Sequence, residues 1–183
     1  MSGREPHRLP GDREPAAEIA RMLRVDHAGE YGATRIYEGQ LAVLAAGRAS
    51  AEIRRMAEAE DRHLARFEAL LRERRVRPTA LHPLWRVAGW ALGAATALLG
   101  ERAAMACTVA VEEVIDEHYR AQAEYLAAEE PELARTILEF RADELAHRDK
   151  AVEQGAYETP GYDLLAAFIK AGSRAAIRLS TRL

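Results

Sequence analysis

Two Glu-x-x-His sequences, Glu60 to His63 and Glu144 to His147, are the residues of this chain whose types and spacing could do chemistry. In a helix each pair puts a carboxylate and an imidazole one turn apart on one face. Around the first, Ile53, Met56, Glu60, His63, Phe67 and Leu70 follow alternating steps of three and four. Around the second, Leu133, Ile137, Phe140, Glu144, His147 and Ala151 do the same. Such positions face a helical interior. A lone Glu-x-x-His on a charged helix reads as a solvated face; what sets these two apart is that both lie on apolar seams. Two further stripes behave alike: Leu23, Glu30, Tyr37, Leu41 and Leu44, and Met105, Thr108, Glu112, Ile115, Tyr119 and Gln122. Four segments thus aim a carboxylate inward, which is costly unless something pairs with it. No Lys or Arg occupies these stripes, and a bound cation would supply the missing charge.

A weak internal repeat strengthens this reading. Glu30 is followed by Tyr37 and Gln40, and Glu112 by Tyr119 and Gln122, at identical offsets. Two helical hairpins related by a pseudo-twofold axis would set six ligands symmetrically around two metals. The order Glu, Glu-x-x-His, Glu, Glu-x-x-His is the ligand pattern of ferritin-like di-iron and di-manganese bundles. Four carboxylates and two imidazoles suit iron or manganese, whereas structural zinc prefers a closed site of sulfur or nitrogen. In this arrangement Glu60 and Glu144 bridge the metals. Glu30 and His63 complete one metal, Glu112 and His147 the other. Glu113 is the rival to Glu112, which the stripe and the repeat both favour. Tyr37, Tyr119 and Asp26 are candidates to orient the ligands.

The elements that must position these residues are helices. The chain has 183 residues, 49% of them apolar, and a formal net charge of -3, so nucleic acid is not the expected partner. One cysteine, Cys107, excludes an intrachain disulfide and any Cys-rich metal site. Residues 1–15, rich in charge and proline, lack the apolar run of a secretory signal and are expected to form a mobile tail. Helices are expected over about 16–46, about 50–75 with Ser50 as cap, 84–99, about 101–128, 131–155, and from Thr159 and Pro160 towards Arg178. The expectation is one all-α domain over 16–183: a ferritin-like four-helix bundle with additional apolar, membrane-facing helices.

Longer stretches carry a resemblance. RMLRVDHAGEYGATRIYEGQLAVL, RVRPTALHPLWRVAGWALGAATALLG, AMACTVAVEEVIDEHY and FRADELAHRD resemble the demethoxyubiquinone hydroxylase family across nearly everything after the N-terminal tail. The resemblance implies a ferritin-like di-iron monooxygenase that hydroxylates the ring of a demethoxy polyprenyl quinol with O2 in ubiquinone biosynthesis. Carried over by motif, its two iron ions fall on Glu30, Glu60, His63, Glu112, Glu144 and His147. A His-Tyr pair that relays electrons or protons matches His118 and Tyr119, of which Tyr119 faces inward. The implied partners are the quinol, O2, a lipid surface and other ubiquinone-biosynthesis proteins, with a homo-oligomer left open.

A polyprenyl quinol lives in the bilayer, so some surface should meet lipid. The apolar stretch to Leu99 is too short to span comfortably, Trp85 and Trp90 suit an interface, and Lys170, Arg174, Arg178 and Arg182 form a basic stripe on the last helix. The expected location is peripheral, on the cytoplasmic side of a bacterial inner membrane or the matrix side of a mitochondrial one. The alternative from another class is a ferritin-like iron-storage protein, which has no need of the stretch from Leu84 to Leu99 or of the terminal helix. A second enzyme rival is a rubrerythrin-like peroxidase, a family that usually adds a Cys-rich iron site, which one cysteine cannot build.

Overall fold

The computed structural model describes residues 13–182, so the expected tail lies outside the described residues up to position 12. The described residues form six α-helices and one 3-10 turn, with no strand among them. They are α1 (Pro15–Val43), α2 (Arg48–Glu73), α3 (His82–Leu98), α4 (Glu101–Glu129), α5 (Pro131–Glu153), the turn Ala156–Glu158, and α6 (Tyr162–Ser180). Proline opens α1, α3 and α5, where its missing N–H costs no hydrogen bond.

The helix ends differ from expectation in small, explicable ways. α1 stops at Val43 because Leu44 turns extended, three residues short of the Gly47 stop. Gly47 is instead the residue before α2, and Ser50 caps from inside the first turn, its Oγ accepting the Gly47 N–H at 2.9 Å. Gly100, at φ 110, separates α3 from α4, a conformation that suits a residue without a side chain.

α1 packs along α2 and α3, and α4 along α5 and α6. Two larger apolar clusters form the main core, and a third, of Cys107, Ala110, Val111, Ala166 and Ile169, joins α4 to α6. Leu23, Phe67, Tyr119, Leu126 and Ile137 lie in one of the larger two, and Tyr37, Ile53, Met56, Met105 and Val109 in the other. The inward positions of the four long helices run from one cluster to the other.

The contact between α1 and α3 is backbone on backbone. A Cβ on Gly93 would lie 1.9 Å from the Ile36 carbonyl oxygen, and one on Gly39 would lie 2.1 Å from that of Trp90. Only glycine allows this approach.

α3 and α6 keep large apolar side chains on the outside: Leu84, Val87, Trp90, Leu98 and Leu99 on the stretch from α3, and Leu164, Phe168 and Leu179 on α6. No helix among the described residues is long and apolar enough to cross a membrane. Two surface expectations are corrected. The basic stripe of α6 is half spent on α4, where Lys170 pairs with Glu113 and Arg174 with Glu117 at 3.1 Å. Trp85 turns inward, its Nε1 donating to Ser180 Oγ at 3.1 Å, so Trp90 alone is the outward tryptophan.

Candidate metal centre

α1, α2, α4 and α5 bring Glu30, Glu60, His63, Glu112, Glu144 and His147 together, all six buried. Two ligand groups result: Glu30, Glu60, His63 and Glu144, and Glu60, Glu112, Glu144 and His147. Within each, one donor atom per residue lies within 4.8 Å of all the others. Glu60 and Glu144 belong to both. Helix two reaches this point from Met56 and leaves through Phe67, while α5 arrives from Ile137 and leaves through Ala151. The seam is thus apolar on either side of each polar pair.

His63 Nδ1 lies 3.0 Å from Glu144 Oε1 and 3.6 Å from Glu30 Oε2. His147 Nδ1 lies 3.1 Å from both Glu60 Oε1 and Glu144 Oε2. Both imidazoles therefore turn the same nitrogen towards the carboxylates. Glu113, the rival to Glu112, points elsewhere, to Lys170.

The two tyrosines of the repeat cross between α1 and α4. Tyr37 of α1 donates to Glu112 Oε1 at 3.0 Å, and Tyr119 of α4 donates to Glu30 Oε1. Each fixes the glutamate of the opposite helix while leaving its second oxygen for another partner. The glutamines of the repeat diverge: Gln40 donates to the Ala104 carbonyl at 3.0 Å, and Gln122 to Asp26 Oδ1 at 2.6 Å. His118 does not reach the cluster. Its Nε2 lies 3.1 Å from the buried Asp26, and its partly exposed ring sits beside Tyr119.

One contributor escaped the sequence reading. Asp143, exposed at the helix surface, places Oδ2 3.0 Å from His63 Nε2. His63 also stacks on Phe140, with ring centroids 4.1 Å apart. Position 143 precedes a seam glutamate and looks like solvated surface; only the crossing from α5 to α2 gives it a role.

The electrostatics follow from crowding. Burial, reinforced by the neighbouring carboxylates, pushes Glu60 and Glu112 well above the ordinary glutamate range. Burial opposes ionisation of Glu144 too, but hydrogen bonds from His147 and His63 outweigh it and bring it down to about 2. Burial likewise disfavours the charged His63, yet its bonds to Glu144 and Glu30 raise it to about 10. Four carboxylates face two imidazoles with no Lys or Arg among them, so without a cation the interior can hold Glu60 and Glu112 only by keeping them protonated. Glu30 Oε2 and Glu60 Oε1 are buried and accept no well-aligned hydrogen bond, although His63 Nδ1 and His147 Nδ1 lie 3.6 and 3.1 Å away. Unsatisfied oxygens, crowded carboxylates without a countercharge and a mixed oxygen and imidazole donor set all fit a pair of divalent metal ions.

An apolar cavity of about 300 Å³ lies on the other side of α1, with α3 and α6 as its walls. Gly29, the neighbour of Glu30, and Val111, the neighbour of Glu112, both line it, together with Ile36, Ile115, Trp85 and Ile177. The cavity wall thus includes the sequence neighbours of two of the six clustered residues.

Comparison with known proteins gives this geometry relatives. The family described as "Ubiquinone biosynthesis protein COQ7" matches residues 17–180. The chain is similar to the 3-demethoxyubiquinol 3-hydroxylase of Rhodospirillum rubrum, 56% identical over 179 residues that cover 96% of this chain and 84% of that protein. It is 51% identical over 171 residues to the NADPH-dependent 3-demethoxyubiquinone 3-hydroxylase, mitochondrial, of Homo sapiens, covering 91% and 79%. With the 5-demethoxyubiquinone hydroxylase, mitochondrial, of Saccharomyces cerevisiae it shares 40% identity over 185 residues, covering 92% and 79%.

Proposed function

The chain belongs to the COQ7 family of ubiquinone biosynthesis proteins, and on that premise we propose that it is a 3-demethoxyubiquinol 3-hydroxylase, a di-iron monooxygenase. The observation that carries this reading is the pair of overlapping ligand groups sharing Glu60 and Glu144. α1, α2, α4 and α5 form a ferritin-like four-helix unit around it, with α3 and α6 added outside. Glu30 and His63 would hold one iron, Glu112 and His147 the other, and Glu60 and Glu144 would bridge the two. Bound there, iron supplies the redox chemistry that activates dioxygen.

In the net reaction one oxygen atom enters the quinol ring and the other leaves as water, which takes two electrons and two protons from outside. The names of the animal relatives point to NADPH as the electron source. The chain's own contribution is positional. Tyr37 and Tyr119 hold Glu112 and Glu30 from opposite helices. The cavity, with Gly29 and Val111 on its floor, takes the ring and the first part of the prenyl tail in dry surroundings that keep oxidant from escaping. His118, held by Asp26 and partly exposed beside Tyr119, is the polar group that leads from solvent towards the Glu30 side, so His118 and Tyr119 form a relay for protons or electrons.

The outward apolar faces of α3 and α6 flank this cavity and support peripheral attachment to a membrane, from which a polyprenyl quinol enters without crossing water. The side is the bacterial cytoplasmic face or the mitochondrial matrix face. An iron-storage role is disfavoured, because the relatives are named as hydroxylases and storage leaves the apolar cavity without a purpose.

The test is iron content with Mössbauer spectroscopy, and product analysis with a demethoxy quinol, on wild type beside Glu60→Ala/Glu144→Ala. About two spin-coupled irons per chain and a hydroxylated quinol are expected, both lost in the double variant. Iron unaffected by the substitutions, or wild type loaded with iron that yields no hydroxylated quinol, would overturn the reading.

A further inference from the structure

The internal repeat allows the two halves of the metal centre to be compared position by position. Glu30 corresponds to Glu112, Glu60 to Glu144, His63 to His147, and Tyr37 to Tyr119. The two tyrosine–glutamate pairs behave alike, down to the crossed bonds. The residues that hold the two histidines do not.

His63, on α2, is gripped from α5 by two side chains: Asp143, at 3.0 Å from Nε2, and Phe140, stacked on its ring. The repeat partners of Asp143 and Phe140 are Ala59 and Met56 of α2. A methyl group and a thioether cannot give His147 what Asp143 and Phe140 give His63. Among the described residues the only carboxylates paired with His147 are Glu60 and Glu144, both through Nδ1. The Glu30 side has a further acid, since the repeat partners of the buried Asp26 and of His118 are Thr108 and Ile36. Both additional carboxylates thus stand on the Glu30 and His63 side.

An acceptor on Nε2 fixes a histidine as the tautomer whose Nδ1 lone pair is free for a metal, raises its basicity and removes ring motion that would otherwise be lost on binding. The rest of the donor set is the same on both sides. We infer that the two metal positions are unequal: that of Glu30 and His63 binds its ion more tightly and fills first, with Asp143 as the positioning residue that makes the difference. This rests on the reading of the six residues as a two-metal site and not on the reaction carried out there.

Manganese(II) titrated into the metal-free full chain tests it, followed by calorimetry and by electron paramagnetic resonance. Wild type should bind two ions in two steps. The first equivalent should give the signal of an isolated ion, and the second should convert it to that of a spin-coupled pair. Asp143→Asn should weaken the first step roughly 10- to 100-fold and leave the second nearly unchanged. Because Asp143 is exposed at the surface, this variant should fold, and circular dichroism checks that. His63→Ala should abolish the tight step, His147→Ala the weak one. Equal affinities, a coupled signal from the first addition, an unaltered tight step in Asp143→Asn, or loss of the tight step in His147→Ala would each overturn the inference. Failure of the enzymatic reading looks different: stepwise manganese loading as expected, but no hydroxylated quinol from the iron-loaded wild type.

Discussion

Two regions lie on either side of α1 and obey opposite rules. On the inner side, between α1, α2, α4 and α5, four carboxylates and two imidazoles fill a space that an ordinary core would give to leucines. On the outer side, between α1, α3, α4 and α6, nineteen residues line a cavity almost without polar atoms, many of them glycine or alanine. The inner region has charge without a countercharge, and the outer has room without a polar group to orient what enters. Each is costly alone, the first in desolvated carboxylates and the second in lost packing. On the proposed reading a metal pair would resolve the first and an apolar ring and tail the second. The difference teaches that the centre and the pocket are separable, so that one can be damaged while the other survives.

The largest expected effect breaks the outer region alone. Gly93→Ala puts a methyl group into the Ile36 carbonyl, forcing α3 off α1. Urea unfolding should show a loss of about 3 kcal/mol. Quinol turnover should fall at least tenfold while iron content per folded chain stays near that of wild type. Iron lost in step with turnover would show that the two regions are one unit.

A smaller effect sharpens the distinction at the rim of the cavity. Leu164→Glu with Phe168→Glu replaces two exposed apolar side chains of α6 by charges. Binding to anionic liposomes, measured by flotation at low salt, should weaken tenfold or more, given about 1.5–3 kcal/mol for each large apolar side chain transferred out of water. Thermal stability and iron content should not change. Undiminished flotation would place the membrane-facing surface elsewhere.

The smallest effect concerns the place where α3 begins. His82 stacks between His27 and Tyr31 of α1, with His27 Nδ1 3.2 Å from His82 Nε2. Burial first, and the neighbouring His82 second, hold His27 down at about 4 against an ordinary 6.5. Between those values the unfolded chain takes up a proton that the folded chain refuses, so stability is full above pH 6.5 and declines as pH falls towards 4. Melting temperature followed across that window should drop in wild type, and less steeply in His27→Gln. An equal slope would mean that this stack does not govern the acid limb.

The inner region was far more legible in sequence than the outer one. Alternating steps of three and four put Glu60, His63, Glu144 and His147 on the same seams as Met56, Phe67, Ile137 and Ala151, and periodicity along one helix suffices to find them. Asp143 was missed because its bond runs between helices, and no spacing within α5 reports what α2 places opposite. Lys170 and Arg174 were read as facing outward for the same reason. The signal was present in Glu113 and Glu117, which repeat the same four-residue step on α4. The inward turn of Trp85 depends on Ser180 arriving from the far end of the chain. Small residues pattern weakly, so the cavity walls left little trace. The close approach of α1 and α3 had one mark, the four-residue spacing of Gly89 and Gly93.

The bare contact between those two helices bears on how variation in this family should be interpreted. Gly39 and Gly93 carry no functional group and approach no substrate, yet each excludes every other amino acid by the distance to one carbonyl oxygen. A missense change there would spare all six acids and imidazoles, leave the chain recognisable by every motif, and still remove the pocket wall. Substitutions at these glycines belong with substitutions of the ligands when inherited or engineered variants are ranked for damage.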